Sequence, residues 1–203
     1  MVRFSHFLLY TFAMFLISPP AIAFSQKDNL ECAQPTSLDQ QVAACTRLLN
    51  AGGLTARNHS IFLTNRGNAW LGKHLPDRAI ADFDEALQYN PKNAFALNGR
   101  GAAWQDKRDY DRSIADLTAS ITLLPSNARA FNNRGNTLIK EGDYEKAIQD
   151  FNQAIRLDPK NADAFNGRAN AWRYKGEFDR AISDYSESIR VRPAHPLLFR
   201  ASH

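Results

Sequence analysis

The sequence predicts an all-α fold, a solenoid of stacked antiparallel helix pairs. Three observations predict it: the chain matches itself at a shift of 34 residues, every repeat holds two apolar-periodic segments of helical length, and a proline stands near the end of each.

The self-match brings four blocks into register, 60–93, 94–127, 128–161 and 162–195. Asn65-Arg66-Gly67-Asn68-Ala69-Trp70 returns as Gly99-Arg100-Gly101-Ala102-Ala103-Trp104, as Asn133-Arg134-Gly135-Asn136-Thr137-Leu138 and as Gly167-Arg168-Ala169-Asn170-Ala171-Trp172. Within a block the apolar period of a helix runs twice, for example over 131–140 and 144–157. Between these two stretches stands Glu141-Gly142-Asp143, with glycine where a helix must stop. The closing prolines Pro91, Pro125, Pro159 and Pro193 cannot continue an established helix.

Small residues form columns. Gly67, Gly101, Gly135 and Ala169 fall mid-helix, where glycine costs about 1 kcal/mol relative to alanine, so a packing constraint is expected there. Ala79, Ser113, Ala147 and Ala181, then Ala86, Ser120, Ala154 and Ser188, form two more small columns on the second helices. Trp70, Trp104, Leu138 and Trp172, with Phe83, Leu117, Phe151 and Tyr185, fill the spaces between. Small-against-large alternation is what interdigitated helices require, so the aromatic column reads as core rather than as a ligand box.

The period and these residues resemble the tetratricopeptide repeat, over about two thirds of the chain. That resemblance implies a right-handed superhelix whose inner wall is formed by the first helix of every pair. It also implies a binding scaffold rather than an enzyme. The sequence departs from the family where an aliphatic residue is usual before the small one, since Arg66, Arg100, Arg134 and Arg168 stand there. Asp82, Asp116, Asp150 and Asp184 follow 16 residues later, on the second helix. Four arginine–aspartate pairs, partly buried and fixing helix register, are expected, because the planar guanidinium can grip a carboxylate bidentately.

The inner wall is expected to hold the ligand. Asn98, Asn132 and Asn166 form one polar column, with Thr64 in the first repeat, and Asn68, Asn136 and Asn170 form another, with Ala102 in the second. Four residues apart on a helix, the two columns share a face. Their amides can pair with a peptide main chain or can link neighbouring repeats, and the sequence leaves both roles open. Arg129, Lys140 and Arg173 add positive charge, which favours an acidic or carboxylate-ended ligand. The carboxylate-clamp pattern of the family is incomplete, since Thr64 stands where its lysine belongs.

The ends read differently. Residues 1–23 have the form of an export signal: Arg3 and His6, an apolar run over 7–17, then Ala21-Ile22-Ala23 after two prolines. Cleavage before Phe24 leaves 24 basic against 21 acidic residues. This small surplus is interleaved with acids and argues against nucleic acid as a partner. The apolar run is about half of the ~20 residues that cross a bilayer, so a periplasmic or secreted protein is expected and not an integral membrane one. Residues 24–59 read as a capping segment, with a helix over 38–50 opened by the capping-box sequence Ser37-Leu38-Asp39-Gln40 and stopped at Gly52-Gly53. Cys32 and Cys45 are the only cysteines, and in an oxidising compartment they are expected to form a disulfide that clips the preceding strand of chain over this helix. The tail 196–203 carries Leu197, Leu198 and Phe199, which would fold back on the last helix, expected over 178–190, or meet another subunit.

No catalytic residue, metal site or cofactor is expected. The sequence has no Ser/His/Asp arrangement or phosphate loop, and His6, His59, His74, His195 and His203 are not paired at ligand spacing. The function expected is protein or extended-peptide binding in the cell envelope. The alternative is a structural or regulatory subunit of an envelope or secretion complex, contacting its partner through the convex face or the C-terminal end, where an oligomer could also form.

Overall fold

The computed structural model describes residues 25–192; residues 1–23, expected to be an export signal, and Pro193, His195 and Leu197–Phe199 lie outside the described residues. Among the described residues ten helices follow one another: α1 (Gln26–Ala33), α2 (Leu38–Asn50), α3 (Ala56–Gly72), α4 (Pro76–Tyr89), α5 (Ala94–Asp106), α6 (Tyr110–Leu123), α7 (Ala128–Glu141), α8 (Tyr144–Leu157), α9 (Ala162–Tyr174) and α10 (Phe178–Val191). They pair in order as hairpins, and each hairpin packs on the next. The first helices α3, α5, α7 and α9 also touch one another in succession, whereas the second helices α4, α6, α8 and α10 do not. The first helices therefore line the inside of the curve.

Local chemistry explains the boundaries. Asn93 Oδ1 accepts from the backbone N–H of Phe95 and Ala96, and Asp109, Asp143 and Asn161 cap α6, α8 and α9 in the same way. The Asp109 and Asp143 carboxyls are held below their usual pKa, first by the side chains of Arg112 and Lys146 and then by the capped N–H groups. The turn between paired helices needs one left-handed residue. Gly142 and Gly176 supply it, while His74 and Arg108 adopt it at the same point of the first two repeats.

The packing constraint expected at the glycine column takes two forms: ring slots at Gly67 and Gly135, and at Gly101 also a close approach of the facing helix, where a Cβ would lie 3.2 Å from the carbonyl oxygen of Ser113. A Cβ on Gly67 would lie 2.7 Å from Cε1 of Phe83, and one on Gly99, in the next hairpin, would lie closer still to the same ring. Phe151 sits likewise between Gly135 and Gly167. Thus the large residue of a second helix is wedged between two first helices and excludes a side chain from both. Where the second repeat has the smaller Leu117, Gly101 still makes room, but the partner position holds Asn133. Trp70, Trp104 and Trp172 are half-buried against the core, and Arg78, Arg112 and Arg180 lie over their rings at 4.9, 3.7 and 4.7 Å from the centroids.

The arginine column forms a ladder. Arg66 Nε and Nη2 donate to Asp82 at 2.8 and 2.7 Å, and the same fork joins Arg100 to Asp116, Arg134 to Asp150 and Arg168 to Asp184 at 2.7–2.8 Å. All four aspartates are buried and all four arginines half-buried. The third nitrogen was not anticipated. Nη1 reaches back to the second helix of the preceding hairpin: Arg66 to Thr46, Arg100 to Asp84, Arg134 to Thr118 and Arg168 to Asn152. Each guanidinium thus joins three helices, and the bonds to Asp82, Asp116 and Asp150 raise the pKa of Arg66, Arg100 and Arg134 above the ordinary value.

The N-terminal segment is a fifth, shortened hairpin. The stretch before α2 is itself the helix α1, not an extended strand, and Cys32 on it is bonded to Cys45 on α2 with the Cα atoms 4.9 Å apart. Thr46 meets Arg66 as Asp84 meets Arg100, so Cys45 occupies the place that Phe83 holds in the next hairpin. The disulfide replaces the ring. The capping box at Ser37 is half made: Ser37 Oγ accepts from Gln40 N at 3.2 Å, but the Gln40 side chain turns to Thr36 and Glu31. α3 begins at Ala56, one turn earlier than the block boundary at 60, so that boundary runs through a helix.

Two predictions follow from the packing. Replacing Asp150 with Ala strands the Arg134 guanidinium and is expected to cost about 3 kcal/mol in urea unfolding, whereas an Arg134→Met, Asp150→Leu pair should cost far less. Gly99→Ala should cost about 1–3 kcal/mol by overpacking against Phe83, and a Phe83→Leu background should remove most of that penalty. Additive losses in the double mutant would sink the slot account.

Candidate functional site

The inner wall carries a cavity of about 670 Å³ between α3, α5 and α7, lined by Asn68, Phe95, Asn98, Leu124, Ser126, Asn127, Ala128, Arg129 and Asp158. A smaller recess of about 180 Å³, lined by Ile61, Thr64, Asn65, Asn68, Asn93 and Phe95, adjoins it through Asn68 and Phe95. Together they form a groove along the first two and a half repeats.

Three of the expected site residues meet there: Asn68 and Arg129, both exposed, and Asn98, half-buried. Asn98 Oδ1 already accepts from Asn133 Nδ2 of the next repeat at 3.1 Å, so it both links repeats and lines the cavity. The rest are dispersed. Asn132 and Asn136 are half-buried one repeat further on. Lys140 lines a separate recess beside Gln105, Arg108 and Tyr110. In the last repeat the amides bond to the protein: Asn166 Oδ1 accepts from Asn170 Nδ2 at 3.1 Å, and Asn170 Oδ1 accepts from the Tyr185 hydroxyl at 2.7 Å. Arg173 is exposed and lies over the Tyr174 ring. The charge expected from Arg129, Lys140 and Arg173 is therefore not pooled, and in the main cavity Arg129 is accompanied by Asp158.

Sequence reasoning missed the apolar part. Phe95 is 60% and Ile61 41% exposed, on the second position of their blocks, where the later repeats carry Arg129 and Asp163. A large apolar side chain outside every packing column was the signal. The loop residues Leu124, Ser126 and Asn127 were also missed, because only the tertiary fold lays the loop after α6 beside α5. Asn127 shows the chemistry of this spot. Its counterpart Asn93 donates to Ser60 Oγ at 2.8 Å and Thr64 Oγ1 at 3.0 Å. In the second repeat the residues at those places are Ala94 and Asn98, and Asn127 Nδ2 is left buried without a partner, as is Asn132 Oδ1. Unpaired buried amides cost roughly 1–3 kcal/mol each, so the inner wall is least self-satisfied here.

A recess of about 380 Å³ opens elsewhere, between α6 and α8. Its basic groups are committed, Arg134 to Asp150 and Thr118 and Lys146 to Asp143. Among the described residues no group of three or more His, Cys, Asp or Glu is placed to hold a metal ion, and no helix is long and apolar enough to cross a membrane. His59 stacks on Tyr89 with centroids 4.4 Å apart.

The fold is shared with solved structures. A crystal structure of MamA is similar with a TM-score of 0.65 at 20% identity, over 84% of this chain and 96% of that one. MamA from residue 41 to its end, from Desulfovibrio magneticus RS-1, matches with 0.65 at 20% identity, over 83% and 97%. YrrB, described as a TPR protein with an unusual peptide-binding site, matches with 0.61 at 21% identity, over 86% and 88%. At these identities the likeness is one of fold. No curated protein matches the chain. The tetratricopeptide-repeat family profiles match residues 64–128 and 128–161, the stretch in which the ring slots and arginine forks recur. By that match and by its hairpin stack, the chain belongs to the tetratricopeptide-repeat proteins.

Proposed function

We propose that this protein is an exported binding scaffold that holds an extended peptide or protein segment against its inner wall. Proteins of this family are generally non-catalytic binding scaffolds, and YrrB, similar in fold, is described as having a peptide-binding site. The observation that carries the reading is the joined groove over Phe95. Exposed Phe95 and Ile61 offer an apolar anchor, Asn68 and Asn98 can donate to and accept from a main chain, and Arg129 can attract a carboxylate at the far side. A segment with an apolar residue followed by an acidic one fits this order, and the Asp158 carboxylate leaves room for a basic neighbour.

Export is part of the same proposal. The signal-like residues 1–23 support it, and so does the Cys32–Cys45 bridge, since such bonds persist outside reducing compartments. A role in the cell envelope follows from that reading.

A photo-crosslinking residue at Phe95 is expected to capture a peptide segment, while one at Glu85 on the outer helix captures none. Phe95→Asp with Arg129→Glu should weaken binding of the captured segment by about tenfold or more without changing the melting temperature. Equal capture at both positions would refute the groove. For export, the protein recovered from the producing cells should begin at Phe24, and Cys45→Ser should lower stability by about 3 kcal/mol. Recovery with Met1 retained would count against secretion.

A further inference from the structure

We propose that α10 is a homodimer interface, on which a second copy of the chain packs its own α10 antiparallel about a two-fold axis. In every earlier hairpin the outward side of the second helix is covered by the next first helix, α5 on α4, α7 on α6 and α9 on α8. Ile80 and Ile148 are accordingly buried. Among the described residues α10 packs only on α9, so Phe178, Ile182 and Ile189 stand 63%, 63% and 77% exposed, with half-buried Tyr185 between them.

The spacing of this stripe is the one by which Tyr144, Ile148, Phe151 and Ile155 on α8 receive α9, and it also matches a copy of itself. Residues 178, 182, 185 and 189 are separated by four, three and four, and at 100° per residue they lie within an arc of about 60°. This is the seam of a two-helix coil. It is also symmetric about the midpoint between Ser183 and Asp184. In an antiparallel pair, Phe178 faces Ile189 of the second copy and Ile182 faces Tyr185 of the second copy, and each contact occurs twice.

The flank fits the same register. Asp179 and Arg190, both exposed, lie on the side of the stripe turned away from α9. Antiparallel pairing about a two-fold axis sets this flank against itself and brings Asp179 near Arg190 of the second copy, whose Nε and Nη2 also donate to Glu187 on its own helix. Two short helices bury less surface than a standard stable interface, so the dimer is expected to be weak, in the micromolar range. This surface is independent of the inner-wall groove, and its failure would leave that reading untouched.

Sedimentation of the purified protein over a concentration series tests it. The wild type should pass from monomer to dimer, and Ile182→Glu with Ile189→Glu should weaken association by about tenfold or more at an unchanged melting temperature. If that pair of changes unfolds the protein, Ile189→Glu alone serves, since its side chain is the most exposed of the stripe. Asp179→Arg should weaken the dimer and Asp179→Arg with Arg190→Asp should restore it. Deleting residues 193–203 should leave association unchanged. A wild type that stays monomeric, a dimer that survives the glutamates, a charge swap without rescue, or association that appears only after the deletion would overturn the proposal; the last would assign the seam to residues 193–203.

Discussion

The stack depends on the three-way arginine. One guanidinium per repeat stands at the junction of its own first helix, its own second helix and the second helix before it, and its planar geometry satisfies two of those partners at once. Lysine could not do this, since a point charge has no fixed fork. The exposed pairs Lys73–Asp39, Lys107–Asp77 and Lys175–Glu145 join the same neighbouring hairpins, but in solvent such pairs contribute at most about 1 kcal/mol. The buried forks carry the stronger constraint because a missed partner leaves a charge without water. Their net contribution to stability is modest, since desolvation offsets attraction, and their effect is on register.

Register then sets the core, and the core sets the inner wall. A phenylalanine wedged between two first helices demands glycine on both, so Phe83 and Phe151 empty positions 99 and 167 of any side chain. The smaller Leu117 and the disulfide at Cys45 relax that demand, and asparagine appears at 133 and 65. Asn133 in turn donates to Asn98, and Asn65 Nδ2 approaches Cys32 Sγ at 3.9 Å. The polarity of the inner wall is thus coupled to ring size in the core, with a period of two repeats.

The two ends of the array are managed by different means. At the N-terminal side a shortened hairpin, too small for a ring core, closes the stack with a covalent bond that buries Cys32 and Cys45 completely. Among the described residues, the side chains of α10 that elsewhere receive another helix stand exposed. The groove over Phe95 lies toward the disulfide-bonded hairpin.

Fold class, helix pairing, the ion pairs and the disulfide partners were legible in the sequence because each is set by spacing along one chain: 34 residues between repeats, 16 from arginine to aspartate. Distances within a hairpin are local, so periodicity reports them directly. Only the tertiary structure decided that the glycine column marks ring slots, that the fork reaches the preceding hairpin, and that α1 is a helix. It also decided which polar residues converge. Asn68, Asn98 and Arg129 come together with Phe95 and Asn127, while Asn170 is turned to Tyr185, because side-chain partners across hairpins follow from how a ring or a methyl-sized residue seats between helices, a three-dimensional fit with no fixed separation in sequence.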